Sequence, residues 1–273
     1  MLLVFDIGNT NITCGVWRKG ASGEGASGDD VLAAQWRFSS QRERTGDELG
    51  ALLKTCFDLE NLRFADVMGV VICSVVPPLT PQIAQMSTRF FNCEPLVVGK
   101  NTQTGLINDY NPPQAVGADR LVNALAAREK FKSACLIVDF GTATTIDAVS
   151  HDGHYLGGAI APGLRIASDA LYAAAAKLPR VELKAPASAL ASDTTSAMQS
   201  GLIFGYAGLV KELVERCTRE MQPHLDDNRV LEVLATGGLA EIIVPLVPSI
   251  QHIEPHLTLE GLRLLWQKRS AAP

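Results

Sequence analysis

One pattern occurs twice in this chain, and it constrains the fold more than any other feature. Near the N-terminus the chain reads Val4-Phe5-Asp6-Ile7-Gly8-Asn9-Thr10, and past the middle Ile137-Val138-Asp139-Phe140-Gly141-Thr142-Ala143. Each copy is an apolar run ending in a carboxylate, then a glycine, then small polar residues, then a second apolar run. An apolar run of that length bounded by turn residues is a buried strand, and the carboxylate stands at its tip. The turn after it offers backbone N–H groups and side-chain donors to an anion. Two such tips facing one another across a cleft can grip the phosphates of a nucleotide and its metal ion. Chemistry of that kind is phosphoryl transfer, in which the protein mainly positions charge.

The rest of the chain repeats in the same way. Strands are expected at 2–6, 12–18 and 31–38, with Lys19 to Asp30, rich in Gly and Ser, as a flexible hairpin tip between the last two. A helix opens on the capping box Thr45-Gly46-Asp47-Glu48, with Leu49, Leu52, Leu53, Cys56 and Phe57 on one face. Val67 to Cys73 is a strand buried on both faces. Thr80-Pro81 starts a helix with Thr as its cap, and Leu96 to Val98 is a short strand. A long loop from Lys100 to Gly117 leads into a helix over 118–131. Strands near 134–139, 144–149 and 154–161 follow, then helices near 164–177 and 195–220. A strand at 230–235, the turn Thr236-Gly237-Gly238 and a last helix over 258–268 complete the second half. Three strands followed by alternating helix and strand, twice over, predict a duplicated α/β architecture with ligand bound between the halves.

Composition argues against several classes. A net charge of −5 argues against a nucleic-acid surface, and no apolar stretch is long enough for a membrane span. No basic region precedes the first strand at Leu2, which argues against a secretory signal. The six cysteines show no metal-ligand spacing and read as reduced core thiols. No G-x-x-x-x-G-K-[ST] is present, so this is not a P-loop protein. The histidines follow no nucleophile or metal pattern, and His151 and His154 read as hairpin-turn residues.

Three constellations carry chemistry. Asp6 supplies a hard oxygen for Mg²⁺, directly or through water, while Gly8 lets the backbone approach and Asn9, Thr10 and Thr13 add donors. Asp139, Gly141 and Thr142 repeat the arrangement. In Gly117-Ala118-Asp119-Arg120, an Asp and an Arg open a helix. A kinase needs a carboxylate to take the proton of the attacking hydroxyl, and Arg offers a bidentate fork to a carboxylate or phosphate. Thr236-Gly237-Gly238 gives a flat turn against which an adenosine can lie.

Together these motifs resemble the type III pantothenate kinases, within the acetate and sugar kinase/Hsp70/actin superfamily, over nearly the whole chain. The pattern D-x-G-N-T-x-x-x-x-G stands at Asp6, Gly8, Asn9, Thr10 and Gly15. The pattern D-x-G-T-A-x-T-x-D stands at Asp139, Gly141, Thr142, Ala143, Thr145 and Asp147. G-A-D-R is intact at 117–120 and T-G-G at 236–238.

The resemblance implies duplicated ribonuclease H-like (actin-like ATPase) domains, 1–133 and 134–273, with the active-site cleft between them. It implies a cytoplasmic, homodimeric enzyme that phosphorylates pantothenate with ATP, the first step towards coenzyme A. Asp119 would be the proton acceptor. Asp6, Ile7, Gly8, Asn9, Thr10, Asn11, Ile12, Thr13 and Thr142 would bind ATP. Tyr110, Gly117, Ala118, Asp119 and Arg120 would contact pantothenate. Asp139 would help hold a monovalent cation, potassium or ammonium, alongside Mg²⁺. A Thr at the start of the long helix would reach the neighbouring subunit's substrate. The family's usual Asn before it is Asp193 here, so the role falls to Thr194 or Thr195, with Thr194 preferred.

Overall fold

Eleven strands and seven α-helices are described in the computed structural model, which covers residues 1–20, 30–99, 102–225 and 230–271. In chain order they begin β1 (Leu2–Ile7), β2 (Asn11–Lys19), β3 (Asp30–Ser39), α1 (Gly46–Leu59), β4 (Gly69–Ser74), α2 (Leu79–Phe91) and β5 (Leu96–Val97). Then come β6 (Ile107–Asn108), α3 (Ala118–Phe131), β7 (Cys135–Phe140), β8 (Ala143–Val149), β9 (His154–Pro162) and α4 (Leu164–Ala174). The chain ends with α5 (Thr194–Met221), β10 (Glu232–Thr236), α6 (Ala240–Ile243), β11 (His252–Ile253) and α7 (Leu257–Ala271). Most of the expected hairpin tip, residues 21–29, lies outside the described residues.

Packing divides the chain into two compact units. Unit 1 is Met1–Thr104, Val116–Ala126 and Thr258–Pro273, and unit 2 is Gly105–Ala115 and Ala127–Leu257. Neither is one continuous stretch of chain.

The sheet of unit 1 has the order β3-β2-β1-β4-β5, antiparallel through β3, β2 and β1 and parallel through β1, β4 and β5. Side chains alternate across a strand. Leu3, Phe5 and Ile7 therefore share one face, and with Ile12, Val70 and Ile72 they pack on Leu49, Leu53 and Phe57 of α1 and on Leu79 and Ile83 of α2. Asp6 points to the opposite face.

Helix α1 starts as expected. Thr45 Oγ1 accepts from Glu48 N at 3.3 Å and the Glu48 carboxylate accepts from Thr45 N at 2.8 Å. Its buried stripe is displaced from the expected one, since Leu52 is 41% exposed. Gly46 and Gly50 explain this. A Cβ at Gly50 would lie 2.4 Å from the Phe90 ring, and one at Gly46 would lie 2.6 Å from the Gln82 carbonyl, so the glycines form the surface pressed on α2. Helix α2 begins at Leu79 with Pro78 at its cap position, not at Thr80. Leu79 is buried in the core, and the Thr80 hydroxyl donates back to the Val76 carbonyl (3.4 Å) where a cap would accept from the helix.

Unit 2 repeats the plan. Its sheet runs β11-β10-β7-β8-β9, which is the order of unit 1 reversed in listing, with β6 added beyond β9. The same antiparallel and parallel senses recur at matching positions. Leu136, Val138 and Phe140 face Ile203, Tyr206 and Val210 of α5 and Ile243 of α6. Helix α4 ends at Ala174, short of the expected boundary, and α5 starts one residue early at Thr194. The duplicated α/β architecture expected from the sequence is therefore the one found. The six cysteines are free thiols, three of them fully buried. Among the described residues no helix is long and apolar enough to cross a membrane.

Candidate active site

In unit 1, sheet register brings the functional groups together. Asp6 pairs with Thr13 on β2 and with Cys73 on β4, so all three stand in one row at one end of the sheet. This is the face that carries Val4 and Val71, away from α1 and α2. Gly69, four positions before Cys73, lies against the Trp266 indole of α7, and Gly15 lies against Leu259 of the same helix. Helix α3 joins α7 here. A Cβ at Gly261 would strike Val122, and Thr258 donates to Asn123 at 2.8 Å. Helix α3 is thus held, through α7, on this face of the sheet.

Cys73 reports the result electrostatically. Its thiol is pushed well above its ordinary value, first by burial and then by the charges of Asp6 and Asp119. Both carboxylates act on one buried sulfur.

The Asp119 carboxylate turns back over Gly117 and accepts from Arg120 N at 2.9 Å. A Cβ at Gly117 would lie 2.4 Å from Asp119 Oδ1, so glycine is what leaves room for this geometry. Ala118 opens the helix, and Arg120 is almost fully buried.

The turn after Asp6 is held by its own backbone and by one residue from β3's end. Gly8 N donates to Asn11 O (2.9 Å), the Ser40 hydroxyl donates to Gly8 O (2.5 Å), and Ser40 N donates to Thr10 O (3.0 Å). Asn9, Thr10 and Asn11 are exposed, and Thr13 is half-buried. Ile7 and Ile12 are fully buried in the core, so only their backbone can face a ligand.

In unit 2, Asp139 pairs with Thr145 on β8 and with Thr236 on β10. The turn after β10 presses on it. Gly237 has φ +91°, and a Cβ there would lie 2.7 Å from Asp139 Oδ1 and 2.6 Å from Phe140 O. Gly163 sits equally close to the second turn, where a Cβ would reach 2.0 Å from Thr142 O. Thr142 is exposed at the tip, and Thr144 behind it hydrogen-bonds the Tyr206 hydroxyl of α5.

The long loop is partly ordered into sheet. Ile107 N donates to Gly153 O and Asp109 N to Tyr155 O, which lays β6 along β9 and presents Tyr110 there. His154, expected in a turn, is instead the first residue of β9 and its ring pairs with Asp109 at 2.7 Å. Thr194 is exposed at the start of α5, whose cap is Asp193, accepting from Ser196 N at 2.9 Å.

Cation chemistry fits these donors. Among the described residues no cluster of three or more His, Cys, Asp or Glu side chains could hold a metal ion. Mg²⁺ bound with a nucleotide needs only one or two carboxylates besides phosphates and water, and Asp6 meets that need. Gly237 withholds a side chain beside an Asp139 carboxylate oxygen and the Phe140 carbonyl.

Ser40, Cys73 and Tyr155 were not marked by the sequence. Each is brought to the site by strand register, and only the Ser39-Ser40 pair after a strand gives any local signal.

The chain is similar to known proteins in sequence and in fold. The family model described as type III pantothenate kinase matches residues 2–216. A type III pantothenate kinase of Geobacter sulfurreducens is 46% identical over 98% of this chain and 99% of its own. That of Citrifermentans bemidjiense is 44% identical over the same shares. Among solved structures, a Campylobacter jejuni protein described as a Baf family transcriptional activator covers 99% of this chain and 100% of its own, with TM-score 0.57 at 16% identity. Component A of the Acidaminococcus fermentans (R)-2-hydroxyglutaryl-CoA dehydratase covers 99% of each chain, with TM-score 0.55 at 12% identity. These two likenesses are of fold alone. With residues 2–216 matched by the family model and relatives at 44–46% identity over nearly full length, this chain belongs to the type III pantothenate kinase family.

Proposed function

We propose that the protein transfers the γ-phosphoryl group of ATP to the terminal hydroxyl of pantothenate, giving 4'-phosphopantothenate and ADP, the first step of coenzyme A biosynthesis. The observation that carries this reading is the chain's membership of the type III pantothenate kinase family, with Asp6 near the tip of β1 and Asp119 opening α3 within one compact unit. A carboxylate at the first turn and a second one opening α3 match the two charged roles a kinase needs.

In this reading Asp119 accepts the hydroxyl proton as the substrate oxygen bonds to the γ-phosphorus and the bond to the β–γ bridging oxygen breaks. The turns at Asp6 to Thr13 and at Thr142 bind the phosphates of ATP. When bound, Mg²⁺ neutralises charge on the β- and γ-phosphate oxygens. Asp139 would hold potassium or ammonium. Tyr110 and Gly117 to Arg120 contact pantothenate, with Arg120 as the fork for its carboxylate.

We also propose a cytoplasmic homodimer in which Thr194 reaches the neighbouring subunit's substrate. Gly201, Gly205 and Gly208 of α5 support it. They lie exposed along one stripe with open space where side chains would stand, and they allow a second helix to approach closely.

The test is ADP release by the purified protein with ATP and pantothenate, with and without potassium, and mass detection of the phosphorylated product. Turnover with pantothenate and potassium is expected. A protein that binds ATP but phosphorylates nothing, or that prefers another hydroxylated acid or a sugar, would overturn the reading.

A further inference from the structure

We propose that Tyr155 is a positioning residue for the acceptor substrate, acting through Tyr110 and anchored by Asp147. The inference rests on the reading of Tyr110 as a pantothenate contact and extends it to residues that touch no substrate.

The anchor is a buried polar pair. Asp147 and Tyr155 are both fully buried, and Tyr155 is the largest such side chain among the described residues. The Tyr155 hydroxyl donates to Asp147 Oδ1 at 2.6 Å, and the Thr145 hydroxyl donates to Asp147 Oδ2 at 3.0 Å. Hydrogen bonds to a carboxylate in a low-dielectric setting are short and strong, and they hold the ring in one orientation.

A strand irregularity aims the ring. Between β8 and β9 the register shifts, with Ala148 opposite Gly157 but Val149 opposite Tyr155, which leaves Leu156 as the extra residue. Bulges of this kind redirect side chains and occur beside active sites. Gly157, at φ +105°, completes the support, since a Cβ there would lie 3.3 Å from Tyr110 Cδ2.

Tyr110 rests on this platform. Its ring centre is 6.4 Å from that of Tyr155 with the planes tilted by 49°. Its backbone is tied to β9 through Asp109 N to Tyr155 O at 3.1 Å, and its own N–H donates to Asn108 Oδ1 at the end of β6 at 3.1 Å. The loop carrying a substrate contact is thus fixed by strand pairing, while its ring is set by a buried tyrosine.

The experiment is Tyr155→Phe, with pantothenate and ATP titrated separately and combined with Tyr110→Ala in a double-mutant cycle. Tyr155→Phe should raise KM for pantothenate roughly five- to tenfold, the effect of one well-placed hydrogen bond. KM for ATP should stay within about twofold. In the Tyr110→Ala background Tyr155→Phe should change pantothenate KM little, because its effect runs through Tyr110. An unchanged pantothenate KM, a parallel rise in both constants, or full additivity would overturn the proposal. Should Tyr155→Phe fail to fold, Asp147→Asn gives the same comparison, with about a threefold rise in pantothenate KM alone expected, and a parallel rise or none overturning it. Wild-type protein inert towards pantothenate would instead sink the reading on which this rests.

Discussion

Asp119 folds its carboxylate over Gly117 so closely that a single added methyl group there would stand 2.4 Å from its oxygen. The glycine is therefore part of how the carboxylate proposed as the base is aimed. Asp119→Asn should lower kcat by about 10²- to 10⁴-fold while ATP binding is kept, the range for loss of a general base. Gly117→Ala should lower kcat less and raise KM for pantothenate, with the carboxylate present but displaced. Steady-state kinetics and nucleotide titration measure both. Near wild-type turnover in Asp119→Asn would remove it as the base.

Ser40 clamps the turn proposed to bind phosphate by donating to Gly8 O and, through its backbone, to Thr10 O. Ser40→Ala removes only the first bond. It should cost about 1 kcal/mol of stability and raise KM for ATP several-fold, with pantothenate KM unaffected. Denaturant unfolding and kinetics check the pair of effects, and an ATP constant equal to wild type would show the turn to be held without the hydroxyl.

Gly237 holds φ +91° against Asp139 and Phe140. Alanine there meets both a strained backbone, worth about 1–3 kcal/mol, and the Asp139 oxygen. If Asp139 serves a monovalent cation, the potassium concentration for half-maximal activity should rise about tenfold or more in Gly237→Ala. A potassium dependence identical to wild type would separate Asp139 from cation binding.

The carboxylate of Asp193 is held below its ordinary range, first by the backbone N–H of Ser196 that it caps. A carboxylate depressed in the folded state contributes stability above its unfolded value and loses that contribution as pH falls through its folded value. Asp193→Ala should therefore melt at a lower temperature than wild type at neutral pH. The difference should shrink in acid below the usual carboxylate range. A melting-temperature gap that persists undiminished there would assign the effect to packing and not to the cap.

Local signals were legible without coordinates. The capping box of α1 lies within four consecutive residues, and the structure forms both of its hydrogen bonds. The two carboxylate-tipped strands were visible because buried strands are continuous apolar runs. Strand β6 was not, since two residues carry no periodicity, and its pairing depends on β9, nearly fifty residues onward. The start of α2 was misplaced because burial of Leu79 outweighed the cap propensity of Thr80. The stripe on α1 was misjudged because hydrophobicity does not reveal that Gly46 and Gly50 admit a neighbouring helix.

By itself, the order of residues determined the duplication, the carboxylate at each strand tip and the glycines of each turn, because all of these follow from short-range patterns. Tertiary structure alone decided that Cys73 would lie between the influence of Asp6 and Asp119, that Ser40 would brace Gly8, and that Tyr155 would stand behind Tyr110. The physical reason is register. Which side chains become neighbours across a sheet depends on how distant strands align, and a shift of one residue would send each of them to the other face.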